Sequence, residues 1–282
     1  MAVFETLFKI KNNTKNIQDI PKLLIDALQD FFQEFKKEEL KLSHTKIDIT
    51  DFDKVILLRD FGTELWNEIL SPELNKNEIT ACASVIEKML NRVLIQTKET
   101  LFLLGNDMGL SAIFNVRLFM EAYAITKYII EKGEEEAIRF IDFSNYQHSL
   151  AAKNKLDFNL IKKYGEKSKS NKFYSIPYGW CSEEKITGEK LIKKTGNKDL
   201  LYFYRLTCNY IHASPFSLIQ ISNSSNPFFP IPSEILLEIV KFVLCHFLLL
   251  ILNYCMKEER KKIYIWILSM LVPELIQIQE GE

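Results

Sequence analysis

Glycine and proline are scarce, nine and eight residues in a chain of 282. Turns must therefore be few, which excludes a sandwich or barrel that needs one about every ten residues. No G-x-G-x-x-G and no G-x-x-x-x-G-K occurs, so the phosphate cradles of nucleotide-binding α/β folds are missing. The five cysteines are odd in number, none is spaced C-x-x-C, and there are only four histidines. Neither a disulfide framework nor a zinc site can be assembled, so free thiols are expected, and no metal or other cofactor. Arginine is rare, at positions 59, 92, 117, 139, 205 and 260. The net charge of −1 gives no overall attraction for polyanions. Met1 to Asn13 lacks a basic region followed by an apolar stretch, so no signal peptide is expected, and a cytoplasmic location is. Apolar runs are short. Glu238, Lys241 and His246 interrupt Ile235 to Cys255, and the cleanest run, Phe242 to Cys255, has 14 residues. A bilayer span needs about 20, so core or oligomer-interface helices are expected and no membrane insertion.

What the chain does contain is helical periodicity. Ile20, Leu24, Leu28, Phe31, Phe32 and Phe35 recur at helical spacing between Ile17 and Leu40, and Val55, Leu58, Leu65, Trp66 and Ile69 do so between Lys54 and Leu70. A polar stretch separates the two, and Ser71-Pro72 follows. Residues 1–70 are read as an N-terminal helical arm and 71–282 as the main helical domain. In the latter, Asn77 is the expected cap of a long helix ending near Gly105. A second helix covers Gly109 to Glu131, stopped by Gly133. A third starts at Glu134, with acids 134–136 where the helix dipole favours them. Residues 153–198 form a basic loop region, twelve Lys against five acids, with Tyr164, Phe173, Tyr174, Tyr178 and Trp180 interleaved and a short helix from Ile186 to Lys194. A helix from Leu200 to His212 stops before Pro215. Two apolar helices, Ser233 to Glu258 and Glu259 to Leu271, close the chain. The fold class is all-α: a helical bundle with an N-terminal arm and apolar C-terminal helices.

The segment Tyr204 to His212 carries the strongest chemical signal. Arg205 and His212 are seven positions apart, so they lie about 20° apart in azimuth on one helix face, with Asn209 about 40° from Arg205. His212 falls in the last turn, where the dipole favours its protonated form. A guanidinium binds phosphate with two parallel donors, and an imidazole moves a proton near neutral pH. Cleavage of RNA by its own 2′-hydroxyl needs both. Arg117 and Glu121, at i and i+4 among apolar neighbours, form a second polar pair. Tyr178 and Trp180 among lysines form a third group, suited to stacking on RNA bases. His148 is a weaker candidate, and His44 and His246 receive no role.

The Arg-x6-His pattern on a late bundle helix resembles the motif of the HEPN superfamily. Three blocks, Val116 to Ala122, Tyr178 to Ser182 and Tyr204 to Pro215, also resemble an uncharacterised bacterial family of unknown function. The HEPN resemblance implies a HEPN-like core and a metal-independent endoribonuclease of phage defence or toxin systems. It implies His212 as general acid or base, Arg205 on the scissile phosphate, Asn209 and Tyr204 positioning it, and Arg117 and Glu121 behind them. It further implies a homodimer, with the apolar C-terminal helices offering an interface, and control by a regulatory or antitoxin protein. Other members of the group often carry a polar residue after the arginine, where this chain has Leu206. The alternative reading is a non-enzymatic helical module of a defence system that binds a partner protein or a nucleotide. A membrane-active effector using residues 235–272 is a third.

Overall fold

The computed structural model describes residues 51–67, 80–106, 108–151, 158–165, 178–183, 186–211, 231, 233–255, 261, 264, 265 and 268. Eight helices and no strand occur among them. They are α1 (Asp51–Leu65), α2 (Ala81–Gly105), α3 (Gly109–Lys132), α4 (Glu134–Ala151), α5 (Phe158–Leu160), α6 (Gly188–Lys194), α7 (Lys198–Ile211) and α8 (Ser233–Cys255). A π-helical turn, Ile161–Gly165, continues α5. The expected helix between residues 17 and 40 lies outside the described residues, as do Asn77 and most of the expected last helix.

α3 is the hub. It packs against α2, α4, α6, α7 and α8, and its sequence is apolar around most of the circumference, as a surrounded helix requires. Ala112, Ile113, Val116, Phe119, Met120 and Ile129 are all fully or almost fully buried. The helix ends at Gly133, whose φ of 82° suits glycine and whose amide closes on Ile129 O at 2.8 Å. α8 packs on α1, α2 and α3. Leu244, Phe247, Leu248 and Leu252 are sealed from solvent, each such burial contributing about 1.5–3 kcal/mol. Its most apolar 18-residue stretch is 61% buried inside the bundle. Much of the hydrophobicity of α8 is thus buried within the bundle itself.

α1, within the arm expected over residues 1–70, lies in the same compact unit as the other described helices, Thr50–Glu282. Val55, Leu58, Phe61 and Leu65 bury one face of α1 against α2 and α8. Lys241, buried on α8, donates to Asp51 at 3.3 Å and to Glu238 at 2.6 Å, tying the N-terminus of α1 to the core. The aliphatic stem fills apolar space while two carboxylates, both partly exposed, compensate the charge.

The cap of α2 is Thr80, not Asn77. The Thr80 hydroxyl accepts from Ala83 N at 3.1 Å. Two further orphan amides, those of Ala81 and Cys82, donate to the carboxylate of Glu134, the latter at 3.0 Å. Glu134 opens α4, so one helix's first residue caps another's N-terminus. Glu134→Ala is expected to cost about 1–2 kcal/mol. A urea unfolding midpoint checks this, and Glu134→Gln should recover part of the loss.

Candidate functional site

The site is built where α6, α7 and the turn Tyr178–Cys181 meet α3. α7 starts at a cap that the sequence signals: Asn197 Oδ1 accepts from Leu200 N at 2.8 Å, after Gly196 with φ 78°. The helix is amphipathic. Leu200, Tyr204, Thr207 and Tyr210 face the bundle, while Tyr202, Arg205 and Asn209 face solvent.

Tyr204 is 4% exposed. Its hydroxyl donates to Glu121 Oε1 at 2.9 Å and accepts from Arg117 Nη2 at 3.2 Å. Arg117 Nε donates to the same Glu121 oxygen at 3.1 Å. The guanidinium carbon also stands 5.2 Å from the centre of the Tyr204 ring. Guanidinium, carboxylate and phenol thus satisfy one another, with Arg117 and Glu121 only 20% and 19% exposed. The Tyr178 hydroxyl lies in the field of Glu121 as well. Burial, reinforced by the Glu121 charge, raises both tyrosine hydroxyls well above their ordinary range, so they stay protonated donors. Burial raises the Cys208 thiol too, and it remains a thiol beside this cluster.

Gly188, the first residue of α6, lies under both phenols. A Cβ there would stand 2.8 Å from Tyr178 Oη and closer still to Tyr204 Oη. Neither hydroxyl can retreat without leaving Glu121. Gly188→Ala is therefore expected to cost about 1–3 kcal/mol and to release Tyr204 from Glu121. Differential scanning calorimetry and a crystal structure of the variant check the two parts.

Arg205 follows Tyr204 and points the other way. Its side chain is 60% exposed, and its Nε and Nη2 both donate to Glu189 Oε1, at 2.8 and 2.6 Å. Glu189 follows Gly188 in the first turn of α6 and is half exposed. The structure thus brings Tyr204, Arg117, Glu121 and Tyr178 into one internal cluster, and sets Arg205 and Asn209 outside it on one exposed face. His212 lies outside the described residues.

Trp180 requires correction. It is 2% exposed and sits edge-on between Phe140 and Tyr128, with ring centroids 5.0 and 5.8 Å away. No face of the indole is open to an RNA base. Tyr178 is only partly exposed, with its hydroxyl turned inward. Tyr164 is likewise buried, against Phe143 and Tyr146. The described aromatics of the basic region are packing residues, and its described lysines are exposed. On α6, Leu191 and Ile192 go in while Lys190, Lys193 and Lys194 go out. His148 is exposed on α4. His246 is half-buried: Nδ1 is 2.9 Å from Phe242 O, and burial lowers its pKa.

Sequence reasoning missed Gly188, Glu189 and Glu136. Glu136 is buried and accepts from Ser182 N at 2.6 Å, fixing the turn that carries Tyr178 and Trp180. The T-G-E run at 187–189 carried a usable signal, a threonine cap with an acid in the first turn. Nothing in it named Arg205 as the partner.

Residues 83–228 match the family of unknown function DUF5677. The match covers just over half of the chain, and the chain belongs to that family. It takes in α3, α6 and α7, and with them every residue of the cluster. No curated protein and no solved structure matches the chain.

Proposed function

We propose that the protein is a HEPN-like, metal-independent endoribonuclease acting in phage defence or as a toxin. The observation that supports this best is the display of Arg205. Its guanidinium is exposed on the solvent face of α7, next to a tyrosine anchored in the bundle, and Glu189 is its one partner among the described residues. A cation so placed is open to a phosphodiester. In the proposed reaction the 2′-oxygen forms a bond to phosphorus and the bond from phosphorus to the 5′-oxygen breaks. One His212 takes the 2′-proton and a second protonates the leaving oxygen. A dimer that joins two Arg205–His212 faces supplies both. Arg205 holds the non-bridging oxygens as charge builds on them. Asn209 shares its face, and the Arg117–Glu121–Tyr204 cluster sets the rotation of α7 that keeps Arg205 outward. A regulatory or antitoxin protein would act by covering this face.

The test is cleavage of single-stranded RNA by purified protein in EDTA, wild type beside His212→Ala. Cleavage by the wild type alone, leaving 2′,3′-cyclic phosphate ends, is expected. Equal cleavage by His212→Ala, or no cleavage by either, moves the assignment to a binding module built on the same face.

A further inference from the structure

The pairing of Glu189 with Arg205 follows from how α6 and α7 touch. Gly188 lies against Tyr204, and the next residue on each helix makes the ion pair. That contact of the α6 backbone with the Tyr204 phenol fixes the register. Leu191 and Ile192 hold α6 in the core, and the Thr187 hydroxyl caps it by accepting from Lys190 N at 3.3 Å. Glu189 is therefore delivered to Arg205 by a rigid element and does not wander there from a loop.

The geometry of the pair is incomplete as recognition. Both guanidinium donors converge on one carboxylate oxygen. A fork of two parallel donors is better matched by two acceptor oxygens, and a phosphodiester offers two. The pair is also exposed on both sides, so it is held weakly and is screened by salt. Lys193, four positions after Glu189 and so on the same side of α6, is exposed.

We propose that Glu189 is an internal substitute for RNA phosphate: it occupies the Nε–Nη2 edge of Arg205, and a phosphodiester binds by displacing it. This rests on the reading of Arg205 as the phosphate ligand. Glu189 then sets the affinity of the site and its dependence on salt, and it keeps Arg205 from holding weaker anions.

The experiment measures binding of a short 2′-O-methyl single-stranded RNA by fluorescence anisotropy. This probe has no 2′-hydroxyl and is not cut. The full chain is compared with Glu189→Gln, Arg205→Gln and the double variant. Removing one negative charge about 4 Å from the phosphate should tighten binding about fivefold at low salt. The slope of log K against log salt should steepen by about 0.7, since one more phosphate charge is neutralised on binding. In the Arg205→Gln background the gain should shrink to less than about twofold, because a surface charge away from the contact is screened. Unchanged or weaker binding by Glu189→Gln overturns the proposal, as does an equal gain in both backgrounds or no binding by either protein. Cleavage of all-ribose RNA by the wild type with no gain in Glu189→Gln sinks this inference and leaves the nuclease reading standing. A gain without any cleavage sinks the nuclease reading and leaves the displaced-anion site.

Discussion

Arg205→Ala is expected to slow RNA cleavage by about 10²–10³-fold, the usual cost of removing one donor from a developing oxyanion. His212→Ala should slow it by about 10²–10⁴-fold, the range for loss of a proton-transfer group. Single-turnover gel assays measure both. For Arg205 the structure makes a clean experiment, because the side chain is largely exposed and its partner Glu189 is half exposed. An exposed pair of this kind contributes about 0–1 kcal/mol, so the fold should be unaffected. The melting temperature and helical circular dichroism of Arg205→Ala should therefore match the wild type. Arg117 is the internal contrast. It is half-buried and donates to both Glu121 and Tyr204. Arg117→Ala leaves a half-buried carboxylate without its cation, and it should lower the melting temperature as well as the rate. A cleavage rate that falls equally for both variants, with equal losses of stability, would mean that Arg205 is structural.

The two arginines look alike in the sequence, and the difference between them is a matter of tertiary packing. Helical phase put Arg205 and Asn209 on one face of α7, and both are exposed there, since azimuth follows from spacing alone; Tyr204, expected beside the phosphate, instead turns into the bundle onto Glu121. The limits of α3 were equally readable from Gly109 and Gly133, because glycine punctuates a helix by a local backbone property. The second acceptor at the start of α2 was not, since Glu134, which receives the Ala81 and Cys82 amides, is on another helix. Phase says which face of a helix is apolar, and it is silent about which helix covers that face. The packing of α1 on α2 and α8, and of α8 on α1, α2 and α3, is tertiary information of that kind. Glu189 was passed over for the same reason: its meaning comes from Gly188 meeting Tyr204.

Trp180→Ala is expected to destabilise the protein by about 3–5 kcal/mol, the range for truncating a fully buried large aromatic. The indole is 2% exposed and fills the space between Tyr128 of α3 and Phe140 of α4. The neighbouring Cys181 thiol shows the same environment, since burial pushes its pKa up to about 12. The cavity left by the substitution has little means of collapse. Its backbone is held by Glu136 on Ser182 N, and Glu183 ties the turn to Lys132 and Lys194 at 3.0 and 2.8 Å. Guanidinium unfolding measures the loss, and Trp180→Phe should recover much of it. RNA affinity below the melting transition separates the two roles given to this residue. A stacking residue would lose about 1–3 kcal/mol of binding at unchanged stability, whereas a core residue loses stability first. A drop in cleavage by Trp180→Ala should then appear on warming. The turn that carries Trp180 also carries Tyr178, whose hydroxyl meets Glu121 above Gly188. Loosening that turn frees one of the two phenols that register α6 against α7, and with it the alignment of Glu189 and Arg205.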